Sequence, residues 1–227
     1  MNETITELQQ QKKELRKKIS QRFKAEAAYC ANIRNAFSNE TNCEIFLKKI
    51  PNIETYKTAF GYAELSNEFP CYDLLRAFSK LGGERITALP VVVGEYLDFR
   101  RIDFSCEPKL AMGKSFGIRE PDENCPLLFS SRMQYAGVED EHRQMRMLEK
   151  LSPLLILTPA RAFMPDGSRL GRGGGFYDKF FAKLSAFQAK NPRILLSAVG
   201  LSFSFQILDF IPTEATDFKV QRIITEK

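Results

Sequence analysis

Only one histidine, His142, stands among the 227 residues of this chain. It lies in the charged run Glu139-Asp140-Glu141-His142-Arg143, where a solvated helix residue is the ordinary outcome. Histidine-triad hydrolysis and multi-histidine metal sites are thereby set aside. The five cysteines, at 30, 43, 71, 106 and 125, form no C-x-x-C pair. An odd, unpatterned set excludes a disulfide frame or zinc site and points to free thiols in a reducing cytoplasm. No apolar stretch approaches membrane-spanning length, and the polar, charged N-terminus lacks the apolar core of a signal peptide. Two nucleotide fingerprints are missing as well. Gly-x-Gly-x-x-Gly needs a glycine where Phe176 stands, and the P-loop ending suggested by Gly113-Lys114-Ser115 has Pro108 where glycine is required. What chemistry remains must use carboxylates, cations, backbone donors and a metal bound through oxygen.

The composition is that of a globular chain, with 44% hydrophobic residues and 19 Phe, and its length fits a single domain. A formal charge of +5 suits a small anionic ligand as well as nucleic acid, so it decides nothing by itself. The run Arg169-Leu170-Gly171-Arg172-Gly173-Gly174-Gly175-Phe176-Tyr177-Asp178 carries far more information. Three consecutive glycines remove every Cβ, freeing the backbone and letting its N–H groups approach a ligand closely. The apolar run Leu154–Leu157 precedes it and a segment of helical spacing, Asp178 to Lys190, follows. A glycine loop entering a helix presents backbone donors and a helix N-terminus to phosphate. Asp178 at the helix start is a dipole-favoured cap or a Mg²⁺ ligand, and the neighbouring phosphate loop favours the metal.

The rest of the chain reads as alternating elements. Residues from Thr4 to about Phe37 form one long helix, opened by a Thr4/Glu7 capping box, with Leu15, Ile19, Phe23, Cys30, Ile33 and Phe37 on one face. Its opposite face is basic and includes Lys12, Lys13, Arg16, Lys17, Lys18, Arg22 and Lys24; a solvated surface, a phosphate-facing surface and a nucleic-acid surface are all open. Strands are predicted at 58–63, 86–93, 97–102, 154–157, 194–201 and 220–225, the second and third forming a hairpin across Gly94-Glu95, with a helix over 72–81. The predicted fold is α/β: a mostly parallel sheet covered by helices on both faces, a long N-terminal helix, and a single domain over residues 1–227. Residues 122–152 fit this pattern worst and read as an external excursion, loop-like at first and then a charged helix from about Asp140.

Five blocks in order resemble the 5-formyltetrahydrofolate cyclo-ligase family, also called methenyltetrahydrofolate synthetase. They are Lys12-Lys13-Glu14-Leu15-Arg16, Leu65-Ser66-Asn67-Glu68-Phe69, Phe116-Gly117-Ile118-Arg119-Glu120-Pro121, Pro159-Ala160-Arg161-Ala162-Phe163 continuing through the glycine loop, and Val199-Gly200-Leu201-Ser202-Phe203 with Gln206 and Pro212 to Asp217. The resemblance implies that Lys12, Lys13 and Arg16 hold ATP phosphates together with Arg169, Leu170, Gly171, Arg172, Gly173, Gly174, Gly175, Phe176 and Tyr177. It implies Arg16, Ala63, Glu68, Phe116 and Tyr177 as folate contacts, Asp178 and Asp217 as Mg²⁺ ligands, and Arg16, Arg172 and Tyr177 as the groups at the reaction itself. The implied reaction converts 5-formyltetrahydrofolate and ATP into 5,10-methenyltetrahydrofolate, ADP and phosphate. The implied setting is cytoplasmic, without membrane or nucleic acid, as a monomer or weak homo-oligomer.

The chain departs from the family pattern at Phe176 (for tyrosine), Met164 (for aspartate), Thr216 (for histidine or asparagine) and Gln221 (for aspartate). Two other readings stay open: a phosphate-binding α/β enzyme acting on a sugar phosphate or a CoA substrate, and a nucleic-acid binder using the basic helix.

Overall fold

The computed structural model describes residues 2–113, 117–132 and 138–227. The N-terminal stripe folds as predicted onto the body of the protein, but as two helices. These are α1 (Asn2–Ala25), which is already helical before Thr4, and α2 (Ala27–Phe37). The side chain of Thr4 lies outside the described residues. The chain bends at Glu26 (φ −94°, ψ 17°), where Glu26 N–H still donates to Arg22 O and Cys30 N–H to Glu26 O. The bend lets the two stripes meet different parts of the core: Phe23 packs edge-on against Phe203 and Phe205, while Phe37 packs against Phe46 and Phe69. Phe46 belongs to a helix not predicted from the sequence, α3 (Glu40–Leu47), whose N-cap Asn39 accepts from Asn42 N–H.

The elements that follow are β1 (Thr58–Phe60), α4 (Tyr72–Ser79), β2 (Ile86–Val93), β3 (Tyr96–Ile102), the short ribbon β4 (Leu110–Met112) and β5 (Arg119–Pro121), and β6 (Leu127–Ser130). Next come α5 (Val138–Leu151), β7 (Leu154–Thr158), the two-residue strands β8 (Ala162–Phe163) and β9 (Arg169–Leu170), α6 (Phe176–Lys190), β10 (Leu196–Ser202) and β11 (Arg222–Thr225). Seven of the strands form one sheet in the order β11-β10-β7-β1-β2-β3-β6. All pairings from β11 to β2 are parallel, and β3 and β6 are added antiparallel at one side.

The strand β7 explains why Leu154–Leu157 is apolar at every position. Leu155 and Leu157 join the core under α1 to α4, whereas Leu154 and Ile156 join the core under α5 and α6. Helices thus cover both faces of the sheet, as the alternating pattern predicts. Within segment 122–152, Leu127–Ser130 pairs with β3 as an edge strand of this sheet, and Leu148 and Leu151 of α5 are buried in the core. No helix is long and apolar enough to cross a membrane among the described residues.

Candidate active site

Ligands of open parallel sheets collect beyond the carboxyl ends of the strands, and the cavity of this protein opens there. It measures about 630 Å³ and is walled by Tyr62 and Ala63 after β1, Pro90 and Val92 toward the end of β2, and Pro159 and Ala160 after β7. Its polar wall combines α1, through Gln9, Lys12, Lys13 and Arg16, with the loop from Arg169 to Asp178. Leu97 and Ile118 extend the apolar wall.

The glycine loop enters α6 from β9, the second strand of a small ribbon, and not directly from the central strand. Backbone geometry explains the glycines. Gly173 (φ +103°) and Gly175 (φ +68°) take left-handed conformations that L side chains avoid, and a Cβ on Gly174 would come within 2.4 Å of the Phe176 ring. Gly175 occupies the N-cap position, so the unpaired N–H groups of the first turn of α6 begin at the loop.

Charged side chains fix the loop from both flanks. Arg16 Nε donates to Gly171 O at 2.8 Å, joining α1 to the loop. Burial lowers the Arg16 pKa from its usual value, and the nearby Asp217 carboxylate opposes that shift. Arg172 Nε donates to Glu68 Oε1 at 2.8 Å and Arg172 Nη2 to Asn67 Oδ1 at 2.6 Å. Glu68 is buried, and its other oxygen accepts from Leu65 N–H at 2.9 Å. Arg169, almost fully covered, forms an ion pair with Asp178. Lys12 Nζ lies 2.7 Å from Asp217 Oδ2 and 3.7 Å from Glu214 Oε1. The phenol of Tyr177 is buried, and among the described residues its oxygen has no hydrogen-bond partner. Burial raises its pKa well above the usual value, so it stays a protonated donor.

The cavity therefore collects Lys12, Lys13, Arg16, Ala63, Glu68, the whole of Arg169–Tyr177, Asp178 and Asp217 in its lining. Phe116, with Lys114 and Ser115, lies outside the described residues. Lys17 and Lys18 are exposed, so the basic face of α1 is split: one part turns into the cavity and the rest faces solvent. His142 is exposed on α5, far in sequence from every lining residue. Two departures from the family pattern have local partners. Gln221 Oε1 accepts from Ala198 N–H at 2.6 Å, and Met164 Sδ accepts from Ile211 N–H at 3.0 Å.

Sequence reasoning passed over Glu120, Glu214 and Tyr62, all of which line the cavity. Glu120 stands in the motif block Phe116–Pro121, and its place between Ile118 and Pro121 was the available signal. Nothing local marks Tyr62, whose hydroxyl donates to Phe69 O at 3.0 Å.

No group of three or more His, Cys, Asp or Glu residues suited to a metal occurs among the described residues. Asp178 and Asp217 nevertheless share the cavity with the glycine loop. One or two carboxylates completed by phosphate oxygens is the donor set that Mg²⁺ takes, so these residues fit that ion together with a bound phosphate.

The model of the "5-formyltetrahydrofolate cyclo-ligase family" matches residues 8–226. A mouse protein, "5-formyltetrahydrofolate cyclo-ligase" from Mus musculus, is 36% identical over 131 residues, which are 58% of this chain and 54% of that protein. A Caenorhabditis elegans protein, "Probable 5-formyltetrahydrofolate cyclo-ligase", is 39% identical over 72 residues, 32% of this chain and 34% of that one. The matched stretches thus span about a third and about half of these two relatives. The solution structure of Aquifex aeolicus 5,10-methenyltetrahydrofolate synthetase superposes with a TM-score of 0.57 at 26% identity, covering 95% of this chain and 90% of that one.

Proposed function

The chain belongs to the 5-formyltetrahydrofolate cyclo-ligase family, and on that premise we propose that it converts 5-formyltetrahydrofolate and ATP into 5,10-methenyltetrahydrofolate, ADP and phosphate. The observation that carries this reading is a single cavity that joins a phosphate-type glycine loop and the cations of α1 to a buried carboxylate, Glu68, beside an apolar wall. A nucleotide phosphate and a flat organic substrate fit side by side in such a space.

In this reading Lys12, Lys13, Arg16 and the loop from Arg169 to Tyr177 hold the ATP phosphates through cationic side chains and backbone N–H groups. Arg16, Ala63, Glu68 and Tyr177 contact the folate, as does Phe116 by resemblance to the family. Asp178 and Asp217 would hold Mg²⁺, which when bound neutralises charge on the phosphate oxygens. The γ-phosphoryl group passes to the formyl oxygen. The amine nitrogen N10 then attacks the activated carbon and loses its proton, and the C–O bond to phosphate breaks. Phosphoryl transfer asks a protein for positioning and charge neutralisation, so no histidine or cysteine nucleophile is needed. Arg16 and Arg172 stabilise the charge shifting between phosphate oxygens, and the Tyr177 hydroxyl donates to a ligand oxygen. We place the protein in the reducing cytoplasm, as a monomer or weak homo-oligomer working on small molecules.

The test is incubation of the full chain with 5-formyltetrahydrofolate, ATP and Mg²⁺ while following the near-ultraviolet absorbance of the methenyl product. The expected signal requires all three components. A folded protein that gives no ATP-dependent signal would overturn the reading.

A further inference from the structure

Glu120 lines the cavity from β5 with 8% of its surface exposed, yet the roles above leave it without a task. Its Oε1 accepts from Val92 N–H at 3.0 Å, and among the described residues no donor is bonded to its Oε2. The wall it shares is apolar, formed by Pro90, Val92, Leu97 and Ile118. Burial pushes the Glu120 carboxyl above its usual range, against the pull of the Val92 amide. The carboxyl also rests on bare backbone, because a Cβ on Gly113 would lie 2.4 Å from Glu120 Cδ. Glu68 is different: Arg172 and the Leu65 amide engage both of its oxygens. With Oε1 held by Val92, the second oxygen of Glu120 is left open to the cavity, where a ligand N–H can pair with it in place of solvent.

We propose that Glu120 is a specificity-determining residue for the folate, its Oε2 accepting an N–H of the 2-amino group on the pterin ring while the apolar wall packs the ring. A carboxylate beside apolar surface selects a flat heterocycle that carries N–H donors on its edge. A site built to accept such a donor rejects an analogue that lacks it. This inference rests on the folate reading above and adds a recognition group to it.

Two substitutions and one analogue test it, using the full chain. Glu120→Gln keeps the shape and can still accept from Val92, but it turns an NH₂ donor toward the ligand's own donor. Equilibrium binding of 5-formyltetrahydrofolate without nucleotide should weaken about 10- to 100-fold, the span of one hydrogen bond to a charged group. The KM for ATP should stay within about twofold, since the loss lies in folate recognition alone. Gly113→Ala should weaken folate binding in the same direction, because its methyl group displaces the end of a flexible side chain without changing any charge. A 2-desamino analogue should bind the wild type about 10- to 100-fold more weakly than the parent compound, and Glu120→Gln should lose most of that discrimination. If folded Glu120→Gln binds folate as the wild type does, or weakens ATP and folate equally, Glu120 only pins the ribbon to β2 and the proposal falls. Should Glu120→Gln fail to fold, Gly113→Ala and the analogue decide in its place: normal folate binding by the first, or undiminished binding of the second by the wild type, overturns the proposal. A wild type that neither binds nor converts folate overturns the functional reading and this inference with it. A wild type active with folate but indifferent to these changes overturns this inference alone.

Discussion

Arg16 and Lys17 are neighbours in the sequence with opposite surroundings. Arg16 reaches Gly171 O, and a Cβ on Gly173 would sit 3.4 Å from its guanidinium carbon, whereas Lys17 is exposed. Replacing Arg16 by Ala removes a charge-assisted bond to the loop, worth about 1.5–3 kcal/mol, so ATP and folate should both bind about 10- to 100-fold more weakly. Lys17→Ala should change either constant by less than about twofold, as exposed charges contribute little. Initial-rate KM values for both ligands measure this, and equal losses in the two variants would mean a diffuse electrostatic surface. Asp178→Asn probes a second pair. Asn keeps an acceptor for Arg169 and the size of the helix-start residue, so stability should fall by only about 1–2 kcal/mol. Turnover should fall by two to three orders of magnitude, about 3–4 kcal/mol, because an amide is a poor ligand for a hard cation. Single-turnover rates at saturating Mg²⁺ check it. More than about a tenth of wild-type activity would make Asp178 a cap and ion-pair partner only.

At the level of elements, α1 does two jobs with two faces. Ile19 and Phe23 bury it, while Lys12, Lys13 and Arg16 on another face reach the cavity. Phe23 is the anchor: it meets Phe203 and Phe205 edge-on, and the Arg161 guanidinium sits 4.9 Å from its ring centre. Phe23→Ala should destabilise the protein by about 3–5 kcal/mol through lost burial and a cavity. Because α1 carries the cations, ATP affinity should drop in the same variant although Phe23 is not itself part of the cavity lining. Denaturant unfolding paired with an ATP titration tests the coupling. A destabilised variant with unchanged ATP affinity would show that α1 docks through its loop contacts alone.

The whole molecule links folding to ligand binding, because the cavity is assembled from α1, β1, β2, the β4–β5 ribbon and α6, which come together only in the native state. A nucleotide held at about 100 times its Kd stabilises by about 2.7 kcal/mol. For a chain of this size that raises Tm by about 5–10 °C. Scanning fluorimetry with ATP, with and without Mg²⁺, should show a larger shift with the ion present. In Asp178→Asn the two shifts should converge, and an undiminished Mg²⁺ increment in that variant would place the metal elsewhere.

Local chemistry made much of this molecule legible in the sequence. Leu154–Leu157 reads as a strand buried on both faces because every position is apolar, and the glycine loop reads as a phosphate cradle because its residues are contiguous. The spacing of Ile19, Phe23, Cys30 and Phe37 yields a buried helical face, though not the bend at Glu26, which depends on where the two stripes meet the core. Helix α3 and the edge strand β6 were hidden because short elements draw their stability from tertiary contacts rather than from periodicity. The site divides along the same line. Motif blocks pointed to Lys12, Arg16, Glu68 and Asp217, residues up to 205 positions apart, but only the folded chain brings Lys12 Nζ to 2.7 Å from Asp217. Glu120 stands in a motif block, but the sequence alone assigned it no task, for a physical reason. Its importance lies in burial, in one occupied and one open oxygen, and in the bare backbone of Gly113 beneath it, and none of these is a property of a residue alone.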